Sequence, residues 1–156
     1  MTAPAAWPVA GLDPIRRLDV LAAALPGVAV QKTVLHAPFE EVWGFLTDFE
    51  RSVPTFDPVV TKVVERARAG GHVRLTAWSG RFLPGLPFEV DVEPGFCWMR
   101  SRWRIYVVGM AAVPDGDRTR VAHLEGSTLP GARLLRRVMV RMVAADVAGM
   151  HRLLDR

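Results

Sequence analysis

The residues best suited to chemistry lie in the last third of the chain, where Glu125 follows His123 by two positions. Side chains two positions apart on a β-strand point to the same face, so a strand here would bring an imidazole and a carboxylate together. Such a pair can act as a general base with an orienting carboxylate. Alternatively, the two side chains can be hydrogen-bonded polar groups with a purely structural role, or they can face outward. The pattern leaves these alternatives open.

A second carboxylate, Asp146, interrupts an apolar stripe of helical period formed by Met139, Val143, Met150 and Leu153. A carboxylate in such a stripe must find a hydrogen-bond donor or acquire a raised pKa. It could face a ligand cavity as an acid or as an anchor, or it could pair with an arginine of a neighbouring sheet. Of these, we favour the structural pairing with an arginine.

An unusual segment from Phe96 to Arg104 alternates large apolar residues with arginines. On a strand, Trp98, Arg100 and Arg102 would share one face with Phe96. If that face lined a cavity, its arginines could hold a carboxylate or an enolate through two hydrogen bonds. We favour the alternative, in which the arginines reach solvent from an outer face.

Cofactor and metal chemistry are not indicated. Cys97 is the only cysteine, which excludes an intrachain disulfide and a cysteine-built metal site. The four histidines are not spaced as metal ligands, and the sequence contains no glycine-rich phosphate loop and no serine-nucleophile motif. We therefore expect no cofactor and no metal, with Cys97 as a buried thiol.

Length and hydropathy bound the class of protein. The 156 residues suit one domain with a core of its own. No apolar run approaches the roughly 20 residues that span a bilayer, and the first ten residues lack the positive charge of a signal peptide. We expect a cytoplasmic protein without a transmembrane segment.

Arginine supplies nearly all of the positive charge, and the formal net charge is +4. The densest basic group is Arg133, Arg136, Arg137 and Arg141, on one predicted helix. A solvated helix face is the interpretation we favour, followed by an anionic partner or a membrane surface. No nucleic-acid motif of defined geometry is present, so we expect no nucleic-acid partner.

The elements that must position these residues follow from capping and turn signals. Asp13, Pro14 and Pro26-Gly27 delimit an amphipathic helix at 13–25, after a loose arm at 1–10. A strand is predicted at 28–35, a short helix after Pro38, and a second short turn from Asp48 that ends at Pro54.

The remaining chain predicts an antiparallel sheet followed by a long helix. Residues rich in β-branched and aromatic types occupy 59–66, 72–78, 87–93, 96–102, 105–113 and 119–128, separated by Gly-, Pro- and Asp-containing turns. Such short connections require antiparallel pairing. The helix is predicted from Pro130-Gly131 to Leu154.

This order of elements resembles the SRPBCC superfamily, the START, birch-pollen-allergen and polyketide-cyclase group. The run from Val34 to Trp43, VLHAPFEEVW, is similar to the "APxEEVW" opening of that family. Gly70-Gly71 before a strand, the RTRV run starting at Arg118, and Pro130-Gly131 before the long helix match in the same order. The resemblance covers about residues 28–154, and the helix at 13–25 is an addition to it.

The resemblance implies an α+β helix-grip fold, in which about seven curved antiparallel strands wrap a long C-terminal helix around a pocket for apolar or aromatic molecules. Residues 1–27 would form the arm and added helix, and residues 28–156 the binding domain. If the protein is an enzyme, cyclase- or dehydratase-like chemistry is expected, in which His123 moves protons, Glu125 or Asp146 assists, and Arg102 stabilises an enolate. The expected ligand-binding residues are Trp43, Phe56, Trp78, Phe88, Trp98, Arg100, Arg102, Trp103 and Met142, and Phe82 also suits an aromatic-lined pocket.

Two other functions remain open from the sequence. A non-catalytic carrier or sensor of lipid-like molecules needs the pocket but no acid–base pair. An interaction module would use the helix at 13–25 to dock on a partner or on a second copy, as a homodimer, if that helix left apolar surface uncovered.

Overall fold

The structure, a computed structural model, describes residues 11–155. A single sheet of seven antiparallel strands has the order β1-β7-β6-β5-β4-β3-β2. The strands are β1 (Val28–Leu35), β2 (Val60–Ala69), β3 (His72–Ser79), β4 (Leu86–Glu93), β5 (Phe96–Ser101), β6 (Tyr106–Asp115) and β7 (Arg118–Ser127). The helices are α1 (Pro14–Ala24), α2 (Phe39–Thr47), α3 (Phe49–Phe56) and α4 (Arg136–Leu154). The predicted α+β helix-grip architecture is confirmed.

The added helix α1 packs on the convex face of the sheet. The Asp13 carboxylate caps it by accepting hydrogen bonds from the backbone N–H groups of Ile15 and Arg16, and Pro14 occupies the first helical position. Ile15 and Leu18 are buried in a cluster with side chains from β1, β5, β6 and β7. A Cβ atom at Gly109 would lie only 2.6 Å from the Leu18 side chain. The absence of a side chain at Gly109 therefore allows α1 to pack closely against β6. The apolar stripe that motivated an interaction module is therefore covered by the protein's own sheet.

The concave face of the sheet carries the main core. Helix α4 packs against β1, β7 and α3, α2 packs against β6 and β7, and α3 packs against β2 at the other edge of the sheet. Buried side chains that include Leu46, Phe49, Val73 and Met150 join these elements into one cluster. Gly149 permits a close approach of α4 to α3, because a Cβ atom there would lie 2.4 Å from the carbonyl oxygen of Phe56. Within residues 11–155, no helix combines the length and apolarity needed to cross a membrane.

Several predicted boundaries were wrong, among them the ends of β2 and β6, which extend to Ala69 and Asp115 rather than to residues 66 and 113. Helix α3 does not end at Pro54 but continues to Phe56, since Phe56 is buried in the core and the Asp57 N–H still bonds the Val53 carbonyl at 3.0 Å. The C-terminal helix does not begin at Pro130-Gly131 as one regular helix. A 3₁₀ segment (Ala132–Leu135) precedes α4, and Arg133 lies on that segment. The predicted arm at 1–10 lies outside the described residues.

Candidate functional site

A cavity of about 300 Å³ lies between the concave face of the sheet and the helices α3 and α4. Its wall is mainly apolar and comes from α3 and strands β2 to β7, with Met142 contributed by α4. Five polar side chains interrupt that wall, four of them ionisable: Asp57, Ser79, Tyr106, His123 and Glu125. An apolar enclosure with a few converging polar groups is the usual character of a small-molecule site.

His123 and Glu125 lie on the same face of β7, as their spacing predicts, and both are buried. Asp146 reaches them from α4, where its Oδ2 atom lies 3.1 Å from His123 Nε2. Because a carboxylate accepts hydrogen bonds, Nε2 carries the proton and donates it to Asp146. Glu125 Oε1 lies 3.7 Å from the same nitrogen, which places three ionisable groups around one point.

Tyr106 completes the cluster from the first position of β6. Its hydroxyl donates a hydrogen bond of 3.0 Å to Glu125 Oε2. Burial and the adjacent charge of Glu125 raise the pKa of Tyr106, so its hydroxyl keeps its proton at neutral pH. The chain has a single tyrosine. Neither Tyr106 nor Asp57 was predicted as a site residue, because both stand at the ends of elements where periodicity gives no orientation.

Burial dominates the electrostatics of Glu125. Removal from water raises its pKa, the charge of His123 opposes the rise, and the charges of Asp146 and Asp57 add to it, with a result of about 7. Asp57 is also raised in pKa, first by burial and then by the charge of Asp146. Glu125 therefore changes its charge near neutral pH, where a carboxyl in water would be fully ionised.

His123 experiences opposing effects. Burial lowers its pKa, but the hydrogen bond to Asp146 and the charge of Glu125 outweigh that effect and the pKa is raised overall. Its second ring nitrogen, Nδ1, is buried and has no hydrogen-bond partner among residues 11–155. The ring meets Phe56 edge-on, with centroids 6.3 Å apart. His123 is thus held between Asp146 and an apolar wall.

These residues could also be considered as metal ligands. One donor atom from each of His123, Glu125 and Asp146 lies within 4.8 Å of the others. A metal-bound histidine normally donates its other ring N–H to a partner, and Nδ1 has none here. The arrangement therefore fits shared protons better than a metal ion.

Three of the predicted ligand-binding residues line the cavity: Phe56, Phe88 and Met142. Trp43 does not, because on α2 it stacks on Phe39 with centroids 6.4 Å apart and packs against the outside of the core. The cavity placement of Trp78 and Trp98 was wrong as well. Their neighbours Ala77 and Met99 face the cavity, so strand alternation puts both tryptophans on the convex face.

Arg100 and Arg102 lie outside the cavity, as in the alternative favoured from the sequence, in which the arginines reach solvent from an outer face. Arg100 lies on the convex face and donates a hydrogen bond of 2.8 Å to Asp91 Oδ2. Arg102 and Trp103 belong to a 3₁₀ turn (Arg102–Arg104) and are exposed, so neither reaches the cavity. Phe82 is also exposed, in the loop after β3. An enolate-binding role for Arg102 has no geometric support.

The prediction that Asp146 pairs with an arginine was wrong. Asp146 pairs with a residue of the sheet, but that residue is His123 rather than an arginine. The spacing within α4 identified Asp146 as a carboxylate in an apolar stripe, but only the tertiary structure shows which residue it contacts. Cys97 is buried, and burial raises the pKa of its thiol, which keeps it protonated and unreactive.

Comparison with known proteins identifies the fold. No family model matches the chain, and no curated protein is similar to it in sequence. Solved structures do match. The Zhui aromatase/cyclase from Streptomyces sp. R1128 superposes with a TM-score of 0.64 at 16% identity, covering 81% of this chain and 92% of that one.

Two further structures agree. The STAR-related lipid transfer protein from Xanthomonas axonopodis (fragment 25–204) matches with a TM-score of 0.64 at 12% identity, over 83% of this chain and 86% of that chain. A START superfamily protein from Mycobacterium smegmatis matches with a TM-score of 0.59 at 14% identity, over 81% and 96%. The chain therefore has the START-like helix-grip fold that the sequence resemblance implied.

Proposed function

We propose that this protein binds a small apolar or aromatic molecule in the cavity and transfers a proton to or from it through Glu125. The observation that carries the proposal is a carboxyl group with a pKa of about 7 that faces a mainly apolar cavity. A general acid or base is most effective when its pKa lies near the working pH. Burial of this kind is a common way to tune a catalytic carboxyl.

The geometry supports a different division of roles from the one predicted. The sequence-based hypothesis gave proton transfer to His123, but His123 Nε2 is engaged by Asp146 and Nδ1 is buried. Glu125 lines the cavity beside these groups. In the proposal His123 and Asp146 are positioning residues that set the charge around Glu125, and Tyr106 is the nearest hydroxyl donor.

The elementary step is enolisation of a bound carbonyl compound. Ionised Glu125 removes a proton from the carbon next to the carbonyl, the C–H electron pair forms a carbon–carbon double bond, and the carbonyl pair moves onto oxygen. Once Glu125 holds the transferred proton, the Tyr106 hydroxyl would turn its hydrogen bond from Glu125 to the resulting enolate oxygen and stabilise it. Cyclisations and dehydrations of polyketide-like molecules share this step, and the structural neighbour Zhui is an aromatase/cyclase.

A proton-exchange experiment tests the proposal with a simple aromatic ketone, 2-tetralone. In D2O, loss of the NMR signals next to its carbonyl would report turnover, and calorimetry would report binding. We expect saturable binding and an exchange rate that rises with pH through about 7, since the base form of Glu125 is required. Glu125→Gln should lose roughly 100- to 10,000-fold of the catalysed rate, the range typical of general base catalysis.

The control is His36→Gln, an exposed histidine outside the cavity, which should exchange at the wild-type rate. Asp146→Asn should retain binding but move the midpoint of the pH profile, because it removes a charge beside Glu125. Saturable binding with exchange no faster than in buffer would reject the catalytic part. Absence of binding by any apolar probe would reject the cavity part.

A non-catalytic carrier is the second candidate. The apolar wall of the cavity favours it, as does the match to a STAR-related lipid transfer protein. Native mass spectrometry, followed by extraction under denaturing conditions, separates the two candidates. A retained lipid-like molecule in which the wild-type protein catalyses no proton exchange would support the carrier.

The proposal includes a cytoplasmic location, which rests on the single, buried, reduced cysteine. The homodimer stays a prediction. Its original motive, an uncovered apolar stripe on α1, is absent from the described residues because the sheet covers that stripe.

A further inference from the structure

Three loops meet at one end of the sheet. Strand β3 ends at Ser79 and β4 begins at Leu86, while β5 ends at Ser101, β6 begins at Tyr106 and β7 ends at Ser127. The pairings of Tyr106 with Ser127 and of Phe88 with Ser101 place these strand ends side by side. We call this the cavity end, because Ser79, Leu86 and Tyr106 also line the cavity.

The cavity end exposes large apolar side chains from all three loops. Phe82 is 95% exposed in the first loop, Trp103 is 75% exposed in the second and Leu134 is 83% exposed in the third. Leu83, Leu129 and Leu135 are exposed beside them. Exposed apolar clusters of this kind mark surfaces that meet a membrane or another molecule.

The charge at this end has a single sign. Residues 80–85, 102–105 and 128–141 contain seven arginines and no aspartate or glutamate. All seven are exposed, and within residues 11–155 none of them forms an ion pair. The basic group predicted on the C-terminal helix is therefore one part of a larger basic surface that the fold assembles.

The opposite end of the sheet differs in both respects. Its turns at 70–71, 94–95 and 116–117 carry or adjoin Glu93, Asp115 and Asp117, and among the described residues they expose no large apolar side chain. The arginines near those turns, Arg68 and Arg118, pair with Glu65 and Asp115. Exposed apolar tips and arginines without a carboxylate partner among the described residues are thus concentrated at the end where the cavity approaches the surface.

Backbone strain supports a role for the second loop. Trp103 and Arg104 adopt positive φ values of 61° and 56°, in the left-handed region that favours glycine. Residues in this conformation persist where the surrounding structure holds them, often at functional positions. Here the strained turn directs a tryptophan into solvent rather than into the core.

We propose that the cavity end docks on anionic phospholipid membranes, with Phe82, Trp103 and Leu134 entering the interface and the arginines contacting lipid phosphates. Aromatic and aliphatic side chains on separate protruding loops suit the boundary between headgroups and acyl chains. Anionic lipids attract basic surfaces of this kind. A ligand that is poorly soluble in water would then exchange between bilayer and cavity without crossing water.

Vesicle co-sedimentation tests the proposal with the full-length protein. Vesicles of phosphatidylcholine alone are compared with vesicles that contain about one third phosphatidylserine, since anionic lipid supplies the expected attraction. We expect binding to the anionic vesicles, little binding to phosphatidylcholine alone, and weaker binding as salt is added.

Paired variants locate the surface. Arg136→Glu with Arg137→Glu should weaken binding roughly 25-fold or more, from about fivefold for each arginine removed. Phe82→Ser with Trp103→Ser should also weaken it, and should still fold because both side chains are exposed. The matched control, Arg118→Glu with Arg152→Glu, makes the same change in net charge away from the cavity end and should bind as the wild type does.

Failure of the wild type to bind anionic vesicles at low salt would overturn the proposal, including the case in which it binds an acidic polypeptide such as polyglutamate instead. Equal loss of binding in the two arginine pairs would overturn it as well, since attraction would then depend on net charge alone. The ketone-exchange experiment is independent of this outcome, because it needs no vesicle.

Discussion

The two faces of the sheet use alternate residues of the same strands for opposite purposes. On β7, Ala122 and Leu124 point to the convex face and pack under α1, while Val121, His123 and Glu125 point to the concave face. Among the described residues, every buried ionisable carboxylate or histidine lies on the concave side, whereas the convex cluster is wholly apolar. The convex face stabilises the fold. The concave face contributes less stability, because it contains a cavity and a cluster of buried ionisable groups.

The largest effect that separates the two faces is expected at Leu18. Leu18→Ala removes a fully buried side chain from the convex cluster and should lower the free energy of unfolding by about 2–5 kcal/mol. Urea unfolding measures this loss, and binding of an apolar probe to the cavity should be unchanged. Val20→Ala, on the exposed side of α1, is the matched control and should change stability by less than about 0.5 kcal/mol. Loss of probe affinity in Leu18→Ala alone would mean that the two faces are coupled.

The next effect concerns the cost of charge on the concave face. Below its ordinary pKa of 4.5 the Glu125 carboxyl is protonated in both folded and unfolded chains. As the pH rises to about 7 and beyond, the unfolded chain ionises more readily, so the folded state loses stability. At about 1.4 kcal/mol for each pH unit between those values, the full loss is about 3 kcal/mol.

Glu125→Gln removes this loss. The variant should unfold with nearly the wild-type free energy at pH 4.5 and be more stable than the wild type by up to about 3 kcal/mol at pH 8. Thermal unfolding across this pH range measures the difference. Glu41→Gln, an exposed glutamate on α2, should follow the wild type at every pH. Parallel curves for Glu125→Gln and the wild type would contradict a raised pKa for Glu125.

The smallest effect tests whether ion pairs hold α1 on the sheet. Lys32 Nζ lies 2.7 Å from Asp19 Oδ2, and both side chains are partly exposed. Lys32→Ala should cost less than about 1 kcal/mol, because solvent screens such pairs. A double-mutant cycle with Asp19→Ala isolates the pair. A coupling free energy comparable to the loss at Leu18 would show that charge, rather than apolar packing, attaches the helix.

Much of the fold followed from local signals. Asp13 with Pro14, the turn residues between strands, and the stripe of α4 fix where elements begin and end, because they act through the backbone of neighbouring residues. Pro54 and the 3₁₀ segment before α4 were misjudged, since burial of Phe56 and packing of Ala132 override the local preference.

The site was predicted in part. Strand alternation alone put His123 and Glu125 on one face, and helical period alone singled out Asp146 as a carboxylate in an apolar stripe. These are properties of one element at a time. Trp98 and Arg100 of β5 could not be assigned in the same way, because alternation defines two faces without saying which one is concave.

The sequence by itself determined the elements, the antiparallel sheet and the pairing of polar residues within each strand or helix, since each depends on covalent neighbours. Only the tertiary structure decided that Asp146 meets His123, that Tyr106 bonds Glu125, and that three loops distant in sequence form one basic and apolar surface. The physical reason is that these contacts join residues of different elements. Which residues meet depends on how the sheet curves and on where α1 and α4 pack. Short-range periodicity in the sequence does not encode this.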